Sequence, residues 1–504
     1  MPLLPRALLL PSSGSLLLLA LLTAAPASAA TPPLPPSERP AAAAPAIDEG
    51  YLWIRDLLSD QRKLRREAAR RLIERGDRGL VFGIVDALFF IAKPFRGEAL
   101  DTLEQLTGEK PGRSYWDWVE LVGRFDQVAP SPGYNHWKAS LFAHLDEGYR
   151  RLLDPAAART LRLEEVVSGG VKIEGIPALD DPAMVAAADA AYLDPDEEVF
   201  AVYWQGEARA YPRRFLDWHE MLNDQVGGEP ITLSYCTLCG AGVLFATARP
   251  GRPPFRFATS GLLYRSNKLM FDRATGTLWS NLTGEPVLGP LVAEGVVLPL
   301  LPLTRTTWGD WRRRHPSTLV MALDRRLRQV ALEHGFDYRP GKADLARRGV
   351  SFPVGRQSSA LPAKEEIYAL RLGSAAKAYA LDRLLDQGLL NDQLADQPIV
   401  LWADRASGAV RVYRRPSAEP LRPGPQADQL LDASGHSWRV GELGLEPEGD
   451  SAGRPSCPRL PGHLAYFFGW YAFFPHTEVW PGPETGRSAP ATASPAPGPG
   501  GGGL

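Results

Sequence analysis

Apolar positions near the start of this chain recur at spacings of three and four residues, and arginine and glutamate fill the positions between them. This spacing is typical of amphipathic α-helices. It is clearest at Leu57, Leu64, Ala68, Leu72 and Ile73. The pattern predicts a helical domain over residues 47–155, in which the stretch 65–80 resembles a helical repeat of the HEAT type. We expect this domain to pack on the chain that follows it; the alternative is that it binds a protein partner.

Short alternating runs separated by glycines replace the helical pattern from about Leu161 onward. Alternation of period two is typical of β-strands, and the glycines mark turns. The predicted elements are, in order, a hairpin of residues 198–204 and 208–211, a short helix at 215–223, and strands at 231–235 and 241–247. The residues between the last two strands form the predicted turn.

Two stretches of the chain are similar to each other. Residues 197–245 align without a gap on residues 365–413, at a constant offset of 168. Sixteen of the 49 aligned pairs are identical, whereas unrelated sequences would give roughly three or four. Downstream, an offset of 159 places Trp311 on Trp470. We therefore predict an α+β fold in which the N-terminal helical region precedes two tandem, internally duplicated, β-rich lobes at residues 160–325 and 326–480.

Composition and charge add bounds to this picture. The 504 residues are 44% hydrophobic and 23% charged, which is ordinary for a globular protein of two or three domains. A net charge of −2 gives no electrostatic reason to expect nucleic acid as a partner.

The chain begins with the pattern of a secretory signal peptide. Arg6 precedes an apolar run at 16–25 and the small residues Ala27-Ser28-Ala29, which predicts a signal peptide over residues 1–29. The Pro/Ala-rich stretch 30–46 is a predicted linker, and residues 481–504 are a predicted disordered tail. We expect an exported protein, periplasmic or secreted, with no stable membrane span after the signal is removed.

The motif with the clearest chemistry is Tyr235-Cys236-Thr237-Leu238-Cys239-Gly240 in the predicted turn. The corresponding residues of the second lobe are Ala403-Asp404-Arg405-Ala406-Ser407-Gly408. A Cys-x-x-Cys-Gly hairpin suits either a metal-binding knuckle or a thiol redox pair. The strand that follows Cys239 disfavours the geometry of thioredoxin, in which the second cysteine enters a helix. Copper or zinc are the metals that thiolates suit.

His219 is the best further ligand or catalytic base, because its counterpart in the second lobe is Gln387. Cys236, Cys239 and His219 are therefore the predicted catalytic and metal-binding residues, with a structural histidine as the alternative for His219. A second alternative is a binding module in which Cys236 and Cys239 form a structural disulfide. Cys457 lies alone in a Pro-rich stretch, and we interpret it as incidental; the alternatives are a free thiol and a distant third ligand.

A polar cluster after the motif predicts a ligand pocket. Its members are Ser260, Tyr264, Asn267, Asp272 and Arg273. The alternative for the last two is an ion pair that stabilises a turn. Met270, in the same stretch, is either a soft ligand for Cu(I) or a core residue.

Several motifs taken together resemble the DUF 3179 family, a domain of unknown function found in exported bacterial and archaeal proteins. They are Glu174-Gly175-Ile176-Pro177-Ala178-Leu179, Ala208-Arg209-Ala210-Tyr211-Pro212, Trp218-His219-Glu220, Asn223-Asp224, Tyr235-Cys236-Thr237-Leu238-Cys239, Ser260-Gly261-Leu262-Leu263, Met270-Phe271-Asp272-Arg273 and Leu278-Trp279. The resemblance covers residues 165–325, and 470–479 resembles the family's C-terminal end. Thr237 stands where the family usually has proline, which loosens the turn. The resemblance implies fold relatives and no particular reaction.

Overall fold

A computed structural model of the chain describes residues 48–339, 349–449 and 452–482. The predicted signal peptide at 1–29, the predicted linker at 30–46 and all but the first two residues of the predicted tail lie outside these residues. Within the described part of the chain, no helix combines the length and the apolar character that crossing a membrane requires.

Seven helices precede the first strand of the described chain, and five more lie among the strands. They are α1 Glu49–Leu57, α2 Arg62–Arg75, α3 Val81–Phe90, α4 Gly97–Thr107, α5 Tyr115–Val122, α6 Tyr134–Phe142, α7 Tyr149–Leu152, α8 Arg213–His219, α9 Trp308–Arg314, α10 Arg325–His334, α11 Leu381–Gln387 and α12 Phe467–Tyr471.

The N-terminal helices share one hydrophobic core with the first β-sheet. Ile54 of α1 and Val166 of the sheet belong to the same buried cluster. Leu64 and Ile73, predicted for the apolar face, are instead 42% and 37% exposed, because α2 turns the face that carries Leu72 to the core. The predicted N-terminal helices are confirmed, and the resemblance to HEAT repeats stays a prediction.

The strands occupy the rest of the described chain. They are β1 Val166–Ser168, β2 Leu179–Asp180, β3 Met184–Ala186, β4 Glu198–Trp204, β5 Glu207–Pro212, β6 Met221–Val226, β7 Glu229–Cys236, β8 Ala241–Ala246, β9 Phe257–Tyr264, β10 Asn267–Asp272, β11 Leu278–Ser280, β12 Pro286–Leu288, β13 Leu300–Leu301, β14 Thr304–Thr307, β15 Leu319–Met321, β16 Glu366–Leu372, β17 Ala375–Ala380, β18 Leu389–Leu394, β19 Gln397–Asp404, β20 Ala409–Arg414, β21 Arg422–Pro423, β22 Gln429–Leu431, β23 Ser437–Val440, β24 Gly444–Glu448, β25 Cys457–Leu460, β26 His463–Tyr466 and β27 Glu478–Trp480.

These strands form several sheets. The strand orders are β1-β9-β10-β11-β12, β13-β8-β7-β6-β2, β14-β4-β5-β15-β3, β26-β16-β17-β27 and β18-β19-β20-β25-β24-β23-β22-β21. The mixed α and β architecture that the sequence predicts is therefore confirmed.

Two units within this architecture repeat the same order of elements. The run from β4 to β8, including α8, has the same bounds as the run from β16 to β20, including α11, at an offset of 168. β14, α9 and β15 begin at the same positions as β26, α12 and β27 at an offset of 159. We call residues 198–321 the first unit and residues 366–480 the second unit. Their origin by duplication stays a prediction.

The predicted helix at 215–223 is wrong at both ends. α8 begins at Arg213 and ends at His219, and the strand β6 begins at Met221. Glu220 terminates the helix with a φ of 59°, in the left-handed region. The predicted strands on either side of the cysteine turn are confirmed as β7 and β8.

Candidate functional site

Cys236 and Cys239 lie in the turn between β7 and β8. Cys236 is the last residue of β7 and pairs with Ala241 of β8. Gly240 closes the turn with a φ of 62°, a conformation that favours glycine. The two cysteines are 1% and 0% exposed. Both are free thiols, so the structural disulfide of the alternative prediction is not formed.

Nitrogen donors converge on the two sulfurs. The side chain of Asn267 donates from Nδ2 to the Sγ of Cys239 over 2.9 Å. The backbone N–H groups of Lys268 and Ala241 act to lower the pKa of Cys236 and of Cys239, respectively. Hydrogen bonds of this kind stabilise a thiolate. The site is therefore built to hold negative charge on the sulfur pair.

The two thiols differ in acidity. Burial raises the pKa of Cys236, but the hydrogen bond from Cys239 and the backbone and charge of Lys268 outweigh burial, so this pKa lies below its ordinary value. Burial raises the pKa of Cys239, and its role as donor to Cys236 raises it further, well above the ordinary value. Cys236 is therefore the member of the pair that ionises first, while Cys239 keeps its proton.

Lys268 places a buried ammonium group beside the pair. It follows Asn267 in β10 and is 5% exposed. Its Nζ donates to the backbone oxygens of Glu220 and Tyr235. Burial lowers the pKa of Lys268, and the negative charges of Glu220 and the cysteines raise it. A cation at this place compensates the charge of the Cys236 thiolate.

Glu220 holds a strained backbone conformation next to the site. Its φ of 59° is one that glycine adopts freely, and it costs other residues roughly 1–2 kcal/mol. The corresponding residue of the second unit is Gly388, with a φ of 72°. The carboxylate of Glu220 accepts a hydrogen bond from Thr237 over 2.9 Å and lies 3.8 Å from the Nζ of Lys268. A glutamate kept at a glycine position beside two cysteines points to a functional role for its charge.

The second unit covers the cysteine turn. The backbone N–H of Tyr466 donates to the carbonyl of Cys239 over 2.7 Å. Gly469, in α12, packs so closely that an added Cβ would lie 2.6 Å from the Cβ of Cys239. Lys364, just before β16, donates from Nζ to the carbonyl of Leu238 over 3.1 Å. The two thiols are thus covered by residues that lie more than a hundred positions away in the chain.

The ring of His219 lies between Pro177 and Tyr338, and its predicted role as a catalytic base stays a prediction. Its Nδ1 is 2.7 Å from the carbonyl oxygen of Pro177, and its Nε2 lies within hydrogen-bond distance of the Tyr338 hydroxyl. Within residues 48–339, 349–449 and 452–482, no group of three His, Cys, Asp or Glu side chains is arranged to hold a metal ion. His219 therefore does not join Cys236 and Cys239 in a metal-binding group. Burial lowers the pKa of His219 to about 4, so its ring is neutral at pH 7.

Asn267 is the member of the predicted pocket that reaches the cysteines. Ser260 donates to the carbonyl of Leu269, and Tyr264 packs edge-on against Phe473. That these residues line a ligand pocket stays a prediction.

Asp272 and Arg273 do not form the predicted ion pair with each other. Asp272 accepts a hydrogen bond from the indole N–H of Trp279 over 3.0 Å, and Arg273 pairs with Glu174 and Asp180. Met270 is fully buried in a cluster with Trp279 that does not contain the cysteines, which favours the core interpretation of Met270.

A small cavity lies beside the turn, between the two units. Its volume is about 20 Å³, room for about one water molecule. Gly240, Tyr235, Tyr368 and His463 are among its lining residues. Both ring nitrogens of His463 are buried and have no hydrogen-bond partner within the described part of the chain. Burial lowers the pKa of His463 to about 4.

Sequence reasoning missed the residues that tune the thiols. The sequence did contain a signal for Glu220, because the corresponding residue of the second unit is a glycine. Lys268 carried a weaker one, as a lysine directly before the apolar run Leu269-Met270-Phe271. Lys364 carried none, because it reaches the site only through the packing of one unit on the other. Cys457 packs in a separate cluster with Trp438 in the second unit, away from the pair.

The sequence was also compared with known proteins. The model of one family, described as "Protein of unknown function (DUF3179)", matches residues 173–477. No curated protein and no solved structure matches the chain.

Proposed function

The chain belongs to the DUF3179 family, whose description names no activity, and we propose from the site itself that this protein is a thiol–disulfide redox protein with Cys236 and Cys239 as its reactive couple. One observation carries the proposal: hydrogen-bond donors, led by Asn267, converge on a pair of free thiols that are buried beside a lysine. Donors and cations of this kind stabilise the reduced, ionised form of a dithiol.

The two cysteines would have different roles in the exchange. The thiolate of Cys236 attacks one sulfur of a partner disulfide, and the other partner sulfur leaves as a thiolate that takes up a proton. Cys239 then loses its proton and attacks the Cys236 sulfur, which forms the Cys236–Cys239 disulfide and releases the second partner thiol. The partner disulfide is reduced by two electrons and the protein dithiol is oxidised by two.

The acidity of Cys236 favours the reverse direction. A stabilised thiolate makes the disulfide form a better oxidant, because reduction yields a low-energy product. The oxidised protein would therefore convert partner dithiols into disulfides. This use fits the exported location that we propose from the N-terminal sequence, since disulfides form and persist in oxidising compartments.

The burial of the sulfurs limits how a partner reaches them. Val354 and Leu361 share a buried cluster with the cysteines, and Lys364 holds Leu238. The segment from 352 to 364 therefore packs over the turn. Glu120 of α5 anchors this segment by accepting the backbone N–H groups of Val354 and Gly355. We expect exchange to require local opening of this cover.

A soft metal ion is the second candidate ligand of the pair. The hairpin, with glycine after the second cysteine and N–H donors on both sulfurs, has the features of a metal knuckle. Zinc fits poorly, because a closed zinc site takes about four protein ligands and the described residues bring two thiols together. Cu(I) is the metal that two thiolates suit best.

The two units also bear on this function. We propose that they descend from a duplication, after which one turn kept or gained the thiols. The matching bounds of β4–β8 and β16–β20 support this. The second unit builds the same turn with Asp404 and Ser407, whose hydroxyl donates to that carboxylate. Cysteines are therefore not needed to form the hairpin.

Thiol and metal contents of the purified full-length protein distinguish the two candidates. We expect less than stoichiometric copper by mass spectrometry after anaerobic purification, and a thiol count that falls by two on mild oxidation and recovers with reductant. The Cys236→Ser variant should keep the far-ultraviolet circular dichroism of the wild type and lose this reversible change. One copper per chain, lost in Cys236→Ser, would instead select the metal candidate.

A further inference from the structure

A second cavity lies where the second unit has its counterpart of the cysteine turn. It has a volume of about 710 Å³, within the range of about 300–1,000 Å³ that is usual for small-molecule sites. Asp404 and Ala406 line it, and they correspond to Cys236 and Leu238 at the offset of 168. The two turns thus share a shape but face different surroundings.

The segments that cover the two turns also correspond. Ala472 and Phe474 belong to the apolar cluster over the cysteines. At the offset of 159 their counterparts are Arg313, in the last turn of α9, and His315, just after this helix, and both line the cavity. An apolar cover in one half of the molecule is therefore replaced by a cationic wall in the other.

The cationic wall carries more arginine side chains than carboxylates. Asp310 accepts contacts from both Arg313 and Arg314. Arg314 is held over the ring of Trp402, with 5.3 Å between its guanidinium carbon and the ring centre. It contacts Asp310 through Nε at 3.3 Å, so its terminal nitrogens keep donor capacity for a ligand.

Arginine side chains also outnumber carboxylates in the buried layer behind this wall. Glu442 lines the cavity and pairs with both Arg411 and Arg459. Arg411 packs on Trp402, also at 5.3 Å. Its Nη1 and the Nε of Arg459 are buried without a hydrogen-bond partner in the described structure. Buried guanidinium groups with unmatched charge attract anions.

Acidic side chains lie on the other side of the cavity. The carboxylate of Asp404 already accepts the hydroxyl of Ser407 and the N–H of Ala406, and Asp428 is half-buried. A ligand's negative group would therefore meet the side formed by Arg314.

We propose that this cavity binds a small organic anion that carries carboxylate or phosphate groups, held by Arg314 against Trp402. The planar guanidinium fork matches both kinds of oxyanion. The site does not depend on the cysteines, so it is independent of the redox proposal.

Isothermal titration calorimetry of the full-length protein with citrate and with inorganic phosphate tests the proposal, and glucose serves as the uncharged control. We expect saturable heat with at least one anion and none with glucose. Arg314→Gln should weaken this binding by about tenfold or more, a change of about 1.4 kcal/mol. Arg312→Gln, on the same helix but exposed and outside the cavity lining, is the matched control and should bind like the wild type.

A second variant keeps the test decisive if Arg314→Gln fails to fold. Ala406 is exposed on the turn and lines the cavity, so Ala406→Trp fills the site without disturbing the core and should abolish binding. Cys236→Ser should bind like the wild type. The proposal is overturned if neither anion gives saturable heat. It is equally overturned if the Arg312→Gln control loses as much affinity as Arg314→Gln, or if Ala406→Trp binds normally.

Discussion

The side-chain amide of Asn267 donates a hydrogen bond of 2.9 Å to the sulfur of Cys239. Asn267 begins β10, the second strand of the β9–β10 hairpin, so this hairpin meets the β7–β8 hairpin of the cysteines at this contact. The corresponding turn of the second unit has Ser407 in place of Cys239. The contact therefore belongs to the chemistry of the first unit and not to the scaffold that both units share.

Asn267→Leu should make the couple less oxidising. It removes the donor to the Cys239 thiol while it keeps a side chain of similar volume, and such a hydrogen bond contributes about 1 kcal/mol to the reduced state. We expect the midpoint potential of the couple to fall by about 20 mV. Equilibration with glutathione buffers measures it, with Gln225→Leu, an exposed amide on β6, as the control. An unchanged potential in Asn267→Leu would show that the amide does not act on the sulfurs.

Glu220→Gln should lower the pKa of Cys236 further. The negative charge of Glu220 raises this pKa, and glutamine removes the charge while keeping an oxygen for Thr237. Ultraviolet absorbance of the thiolate, followed against pH, should show its midpoint at lower pH than in the wild type. Glu229→Gln is the control, because residue 229 lies at the far end of β7, about 23 Å from Cys236 along the strand. A thiolate midpoint at the same pH as in the wild type, or at a higher pH, contradicts a role for the charge of Glu220.

Gly240→Ala and Gly408→Ala form a matched pair. Both glycines have a left-handed φ, of 62° and 71°, so alanine costs each turn about 1 kcal/mol in backbone strain. At Gly240 the added Cβ would also lie 3.1 Å from the ring of Tyr466, whereas at Gly408 nothing lies within 4 Å. We expect Gly240→Ala to lose about 1–2 kcal/mol more of the free energy of unfolding. Urea denaturation measures both; equal losses would mean that the second unit does not press on the cysteine turn.

The burial of His463 in its neutral form should make the folded protein less stable below pH 6.5, where the unfolded chain protonates this ring. Burial holds its pKa at about 4 in the folded state, whereas the unfolded chain has a value of about 6.5. The unfolded state therefore binds more protons between these values, so stability is complete above pH 6.5, falls as the pH drops, and levels off below about pH 4. For this one group the loss at pH 5 is about 2 kcal/mol.

His463→Leu should remove that part of the pH dependence. The difference in unfolding free energy between pH 7 and pH 5 should shrink by about 2 kcal/mol relative to the wild type. His476→Leu, an exposed histidine of the same unit, is the control and should keep the full difference. A wild-type pH dependence in His463→Leu would mean that this ring is not buried in its neutral form.

The sequence predicted the hairpin of the cysteines because its information is local. Alternating apolar residues on both sides of Cys236–Gly240, and a glycine suited to a positive φ, define two strands and a turn without reference to the rest of the chain. The internal comparison also separated Cys236 and Cys239 from the scaffold. The hairpin is confirmed by β7, β8 and the φ of Gly240, while the functional role of the two cysteines stays a prediction.

The orientation of the His219 ring and the contact of Lys364 with the cysteine turn could not be predicted in the same way. His219 lies one residue before the strained Glu220, and the end of α8 turns its ring toward Pro177 and Tyr338 rather than the sulfurs. Lys364 reaches Leu238 because the second unit docks on the first. Side-chain direction at a helix end and the docking of one unit on another are tertiary properties that spacing along the chain does not encode.

The redox equilibrium of Cys236 and Cys239 decides whether these two thiols are a reactive couple. The Cys457→Ser variant, which leaves Cys236 and Cys239 as the chain's cysteines, would be equilibrated in glutathione buffers of graded ratio, quenched with acid, alkylated and weighed by mass spectrometry. We expect a reversible two-electron transition in which both thiols are lost and regained together, and no such transition when Cys236→Ser is added. A pair that stays reduced in every buffer, or thiols that oxidise independently of each other, would contradict it.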